Sequence, residues 1–148
     1  MDPEIVKRMT EWADRAKKER MTKAKEWPPP DSVIKRWTHS GLECAIARGP
    51  LSLCGYVRVP ASHADAQKDY DDVGVDVHGG LTFRCLDKDG GTWFGFDTAH
   101  GGMDTWTEIV PGMDLVPRFL PPCPMVSEVE KLAEQLAERS RVIIPRPD

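Results

Sequence analysis

Val75–Asp104 reads VDVHGGLTFRCLDKDGGTWFGFDTAHGGMD, and the rest of the chain is arranged around it. Leu81–Leu86 and Thr92–Phe96 alternate in the strand manner, and Asp87-Lys88-Asp89-Gly90-Gly91 between them is the turn-rich link of a β-hairpin. His78-Gly79-Gly80 and His100-Gly101-Gly102 bracket that hairpin. Antiparallel strands double back, so residues just before the first and just after the second converge. His78 is therefore expected to face Asp97, His100 and Asp104.

Upstream, Val73, Val75 and Val77 alternate with Gly74, Asp76 and His78, which predicts a strand running into the His78 turn. Leu42–Ala47 and Leu53–Val59 predict two more strands, after a turn at Thr38-His39-Ser40-Gly41. At the N-terminal end Asp2 can cap a helix and Pro3 can sit in its first turn. Ile5, Met9, Trp12 and Ala16 then recur at three- and four-residue intervals, predicting a helix from about Pro3 to Lys25 with one apolar stripe. Trp27-Pro28-Pro29-Pro30 stops it. Near the other end, Ser127 and Glu130 have capping-box spacing. Val129, Leu132, Ala133, Leu136 and Ala137 predict a second amphipathic helix up to about Arg139, and Val142-Ile143-Ile144 an edge strand.

These elements make an α+β fold: a small, mostly antiparallel sheet of about five strands with an N-terminal and a C-terminal helix. The segments are a charged amphipathic helix over 1–27, a β-rich core over 31–120 and a helix over 124–141. A length of 148 residues is enough to bury a core without disulfide or metal staples. Cys44, Cys54, Cys85 and Cys123 occur singly, and the first three lie inside apolar runs, where a thiol is a small buried hydrophobe.

Charge narrows the function. Residues 1–36 hold ten Lys/Arg against seven Asp/Glu, whereas residues 61–110 hold three against ten. A surface that tracks a nucleic-acid backbone needs the opposite balance, so no extended nucleic-acid interface is expected. No run of about 18 apolar residues suits a membrane span, and the first residues lack the order of a signal peptide, which points to the cytoplasm. Asp65, Asp69, Asp71 and Asp72 read as a solvated loop. The stripe on the first helix suits self-association into a homo-oligomer.

The hairpin ends carry the candidate chemistry. His78, Asp97, His100 and Asp104, with His63 as a further ligand, suit a divalent transition metal such as Zn²⁺, Mn²⁺ or Fe²⁺ that would activate water. Without metal, His78 and His100 would act as general base and acid, each oriented by a carboxylate such as Asp97. Thr82, Arg58 and Arg84 are candidates to hold a phosphate, and Tyr56 and Trp93 to stack a base. The plain alternative is that these Asp and His side chains only satisfy loop amides.

A resemblance adds to this reading. Trp37…Gly41…Cys44, Gly55-Tyr56-Val57-x-Val59-Pro60-x-x-His63, His78-Gly79-Gly80-Leu81-Thr82-Phe83 and Gly95-Phe96-Asp97-x-x-His100-x-x-x-Asp104 resemble a family of small phage and prophage proteins, over about residues 37–104. Gly102-Met103 lengthens the last spacing relative to the family pattern. The resemblance implies a phage accessory protein that acts on host defence in the infected cell. With the His/Asp residues it implies a phosphoester hydrolase acting on a nucleotide such as an immune second messenger. The alternative is a non-catalytic protein that sequesters such a nucleotide; a third is a structural or protein-interaction module.

Overall fold

The computed structural model describes residues 2–49, 52–98 and 124–141. The architecture is α+β. In chain order the elements are α1 (Pro3–Thr22), β1 (Ala24–Lys25), β2 (Val33–His39), β3 (Leu42–Arg48), β4 (Leu53–Val59), β5 (Phe83–Asp87), β6 (Thr92–Asp97) and α2 (Met125–Arg141). The strands form one six-stranded sheet in the order β1-β5-β6-β4-β3-β2. Every pairing is antiparallel except that of the two-residue β1 with β5.

The central hairpin forms as its alternation predicts. Phe83 pairs with Gly95 and Leu86 with Thr92. The Asp87 amide donates to the Gly91 carbonyl at 2.7 Å, and Gly90 adopts the left-handed backbone (φ 97°) that favours glycine. The Ser40-Gly41 turn also holds, with both residues at positive φ, as a tight two-residue hairpin link requires.

Beside the two-residue β1, one strand is added to those expected and one is lost. Val33–His39 is a strand, paired edge to edge with β3 through a bulge between Val33 and Lys35. Val73–Val77 is a loop despite its alternation, because its backbone finds partners on α2 in place of a neighbouring strand. The Gln135 amide donates to the Asp76 carbonyl at 2.8 Å, and the Asp76 N–H donates to Gln135 Oε1 at 2.7 Å. The expected capping box is also displaced: α2 begins at Met125, so Ser127 lies within its first turn, and the Glu128 N–H donates to the Pro124 carbonyl. Val142–Ile144 and Cys123 lie outside the described residues.

α2 covers one face of β3 and β4. Val129, Leu132, Ala133 and Leu136 are wholly buried there against Ile46, Leu53, Val57, Val59, Phe94 and Phe96. This packing accounts for Gly55, because a Cβ there would lie 2.6 Å from Val129 Cγ2 and 2.8 Å from the Phe96 ring. Alternation sends Ala45, Ala47, Cys54, Tyr56, Cys85 and Trp93 to the other face, where they make a second, smaller core. Cys44, Cys54 and Cys85 are buried as their apolar settings predict. Burial pushes the Cys44 thiol up to about 11, so it stays protonated at neutral pH.

The loop between β4 and β5 joins the layers through three arginines from three elements. Arg20 of α1 forms a two-pronged pair with Asp69, Nε and Nη2 lying 2.9 and 2.8 Å from its oxygens. Arg84 of β5 donates to the backbone carbonyls of Lys68, Arg20 and Ala66 at 2.8, 2.6 and 2.6 Å. Arg139 of α2 grips Asp65, which also accepts from Lys68. Asp65 and Asp69 are therefore buried anchors, which corrects their reading as solvated; Asp71 and Asp72 are exposed.

α1 starts on the Asp2 cap, whose Oδ1 accepts from the Glu4 N–H at 3.0 Å. It ends at Thr22, one turn short of expectation, because Ala24–Lys25 leaves the helix to pair with β5. No residue of α1 is buried. Among the described residues no helix is long and apolar enough to cross a membrane.

Candidate functional site

The two described residues of the hairpin ends, Asp97 and His78, are bonded to different parts of the fold. Asp97 closes β6, and alternation with Phe94 and Phe96 turns it away from α2, to the face of Cys54 and Tyr56. There it accepts from the Thr82 hydroxyl at 3.3 Å. His78 is tied to the other layer: its backbone N–H donates to Glu128 Oε1 of α2 at 2.8 Å, and Val77 before it packs in the α2-side core. His100 and Asp104 lie outside the described residues. Among the described residues no group of three or more His, Cys, Asp or Glu side chains is placed to hold a metal ion.

Four further candidates have structural work. His63 is buried, with Nε2 2.7 Å from the Leu136 carbonyl and Nδ1 2.9 Å from the Asp65 N–H. A backbone amide on Nδ1 makes Nε2 the protonated nitrogen, and with both nitrogens engaged His63 has no lone pair to give a metal. Arg84 is 1% exposed and gives its guanidinium to three carbonyls, so it does not receive a phosphate. Arg58 clamps the hairpin turn, with Nε 2.8 Å from Asp87 and Nη2 2.6 Å from Asp89. Trp93 is wholly buried and donates to Asp87 at 3.2 Å; no ligand ring can reach its face from solvent.

Tyr56, by contrast, belongs to a three-ring cluster that reaches the surface. Phe83 and Trp27, both half-buried, stack with centroids 4.7 Å apart and planes 23° from parallel. Tyr56 meets Trp27 and Phe83 edge-on at 5.6 and 5.3 Å. Burial raises its phenol far above the usual range, so it stays neutral. The Trp27 indole N–H is buried and meets no acceptor among the described residues.

Two hollows flank Phe83 and share Phe83 and Thr82 in their walls. One, of about 220 Å³, is lined by the aromatic cluster, Cys54 and Asp97. The other, of about 400 Å³, lies between α1 and β5 and carries Arg20, Lys23, Lys25 and Tyr70. The Lys25 ammonium sits 4.9 Å from the Trp27 ring centre, and no carboxylate pairs with Lys23 or Lys25 among the described residues. A larger groove of about 580 Å³ opens near Arg36 and Arg58, but Glu26, Glu43, Asp87 and Asp89 outnumber its two arginines, so it disfavours an anion.

No protein-family model, curated protein or solved structure matches the chain.

The arrangement offers a half-buried aromatic cluster with cations on one side and a carboxylate–hydroxyl pair on the other. Trp27, Phe83, Lys23 and Lys25 were not singled out from the sequence as binding residues. Trp27 reads there as part of a proline stop, and Phe83 as one more alternating strand residue. The signal that could have raised them is a tryptophan held beside Lys25 at the end of a basic helix, next to a stiff triple proline.

Proposed function

We propose that the protein binds a small phosphorylated aromatic ligand, a nucleotide, in the paired hollows around Phe83, and holds it without cleaving it. The stacked Phe83–Trp27 pair, open at the surface between Lys23/Lys25 and Thr82/Asp97, carries this reading. A base would lie against the rings, where stacking contributes on the order of 1–3 kcal/mol. Phosphate oxygens would meet the ammonium groups of Lys23 and Lys25. Ribose hydroxyls or an exocyclic amine would bond to Thr82 and Asp97.

In the cell the proposed role is that of a cytoplasmic phage accessory protein that removes a nucleotide immune signal from circulation. A homo-oligomer through α1 is proposed with it, on the exposure of that helix. Phosphoester hydrolysis by His78, Asp97 and His100 is the outcome that the same experiment distinguishes.

Purified protein is titrated by calorimetry with mononucleotides, cyclic mononucleotides and cyclic dinucleotides, and bound ligand is released by denaturation and weighed by mass spectrometry. Binding is expected, with intact ligand returned. Phe83→Ala should weaken it at least tenfold, and Lys23→Ala with Lys25→Ala should weaken it in a salt-dependent manner, while His78→Ala leaves it unchanged. Cleaved ligand that disappears in His78→Ala would overturn capture in favour of hydrolysis. No binding by any nucleotide would overturn both.

A further inference from the structure

The hollow of about 220 Å³ beside Phe83 carries one charged group, Asp97, on walls made largely of the Trp27, Tyr56, Phe83 and Phe96 rings. Asp97 ends β6 in register with Cys54 of β4. Just before Phe83, the Thr82 N–H continues the β5–β6 ladder onto the Gly95 carbonyl at 2.9 Å, and the Thr82 hydroxyl donates to Asp97 Oδ2 at 3.3 Å. The carboxylate is therefore mounted on the sheet, which holds a binding group more closely than a loop does. A carboxylate accepts about four hydrogen bonds and donates none, so the Thr82 hydroxyl does not exhaust it.

Charge sets which end of a nucleotide arrives there. Phosphate is repelled by Asp97 and drawn to Lys23 and Lys25 in the neighbouring hollow, across Phe83 and Thr82, which both hollows share. The sugar adjoins the phosphate, so the part that enters between the aromatic walls is the base, and the part of the base that meets Asp97 is its outer edge. That edge differs in kind between bases. Guanine presents two adjacent donors there, N1–H and the 2-amino group, spaced to meet the two oxygens of one carboxylate. Adenine and cytosine place a ring-nitrogen lone pair beside their amino group, and uracil sets its single N–H between two carbonyls. Each of these turns at least one lone pair toward the carboxylate, which repels it.

We propose that Asp97 is the base-reading residue of the nucleotide site and that it selects guanine. This rests on nucleotide capture around Phe83 and narrows it to one base. Guanine nucleotides are expected to bind about tenfold or more tightly than their adenine, cytosine and uracil counterparts, because a site that bonds to a ligand donor rejects the analogue without it. Inosine, which keeps N1–H and lacks the 2-amino group, falls between.

Calorimetry on the full chain with the 5′-monophosphates and 3′,5′-cyclic monophosphates of guanosine, adenosine, cytidine, uridine and inosine, and with cyclic di-GMP and cyclic di-AMP, measures the order. Asp97→Asn keeps the shape of the side chain but replaces one oxygen with an N–H donor. It should lose the guanine preference and bind xanthosine monophosphate better than wild type does, because the xanthine C2 carbonyl accepts from the new amide. That gain also shows that the variant is folded. Equal or reversed affinities in wild type, or an Asp97→Asn that keeps the wild-type order or weakens every base alike, would overturn base reading by Asp97 and leave nucleotide capture standing. No binding by any nucleotide of the panel would overturn capture and base reading together.

Discussion

Arg139 in α2 and Asp65 in the β4–β5 loop form a two-pronged ion pair, 74 residues apart in sequence, on a carboxylate that is wholly shielded from solvent. Burial alone would raise the Asp65 pKa, but bonds from Arg139 and Lys68 outweigh it and hold the carboxyl at about 2. Its unfolded value is about 3.9, so ionisation of Asp65 between its two cations favours the fold by about 2 kcal/mol at neutral pH. Because the folded pKa is depressed, that stability is fully present above about pH 5 and is lost as pH falls toward 2. Melting temperature followed from pH 6 to pH 2 should fall steeply below pH 4 in wild type and less steeply in Asp65→Asn, which starts lower. Equal slopes would show that the pair contributes nothing.

Arg84 satisfies three backbone carbonyls at once from a nearly fully buried position. Arg84→Met keeps much of the volume but takes this donor from the Lys68 and Arg20 carbonyls, while Ala66 keeps the Thr92 hydroxyl at 3.0 Å; orphaned buried polar groups cost about 1–3 kcal/mol each. A loss of about 2 kcal/mol or more in urea unfolding is expected, with Arg84→Lys recovering only part of it because an ammonium lacks the guanidinium fork.

At Gly55 the absent side chain makes room for α2. Gly55→Ala would press a methyl group onto Val129 and the Phe96 ring, both within 2.8 Å of the added carbon. Overpacking of this order costs about 1–3 kcal/mol. The double variant Gly55→Ala with Val129→Ala should recover part of the loss, and calorimetric unfolding of the four proteins measures the coupling.

Gln135 stands in for a missing strand by bonding both backbone groups of Asp76. Gln135→Ala should cost about 1–2 kcal/mol and raise hydrogen exchange at the Asp76 amide selectively. Unchanged protection of that amide would mean the loop keeps its shape unaided.

What was legible in the chain follows from range. The β5–β6 hairpin was readable because its alternation and its glycine turn lie within 15 residues. β2 was missed because its bulge breaks the alternation and its exposed edge mixes Lys35 and Arg36 with Trp37. Val73–Val77 was read as a strand because three alternating valines carry no record of Gln135 and Glu128, which hold that segment from α2. The same blindness affected the site. Asp65 and Asp69 look solvated until Arg139 and Arg20 arrive from distant helices. Likewise Arg84 looked like a phosphate ligand because its three carbonyl partners come from other segments. Tyr56 was legible as an aromatic at the site, whereas its stacking partners Trp27 and Phe83 lie 56 residues apart.

The three arginines that meet on the β4–β5 loop set how the chain can be dissected. A shortened version starting after Trp12 keeps Arg20 on Asp69 and should fold. One starting after Thr22, or stopping before Arg139, abandons a shielded anion without its cation and should fail to express in the soluble fraction. The boundaries of the smallest autonomous unit are thus drawn by guanidinium groups rather than by where the helices begin and end.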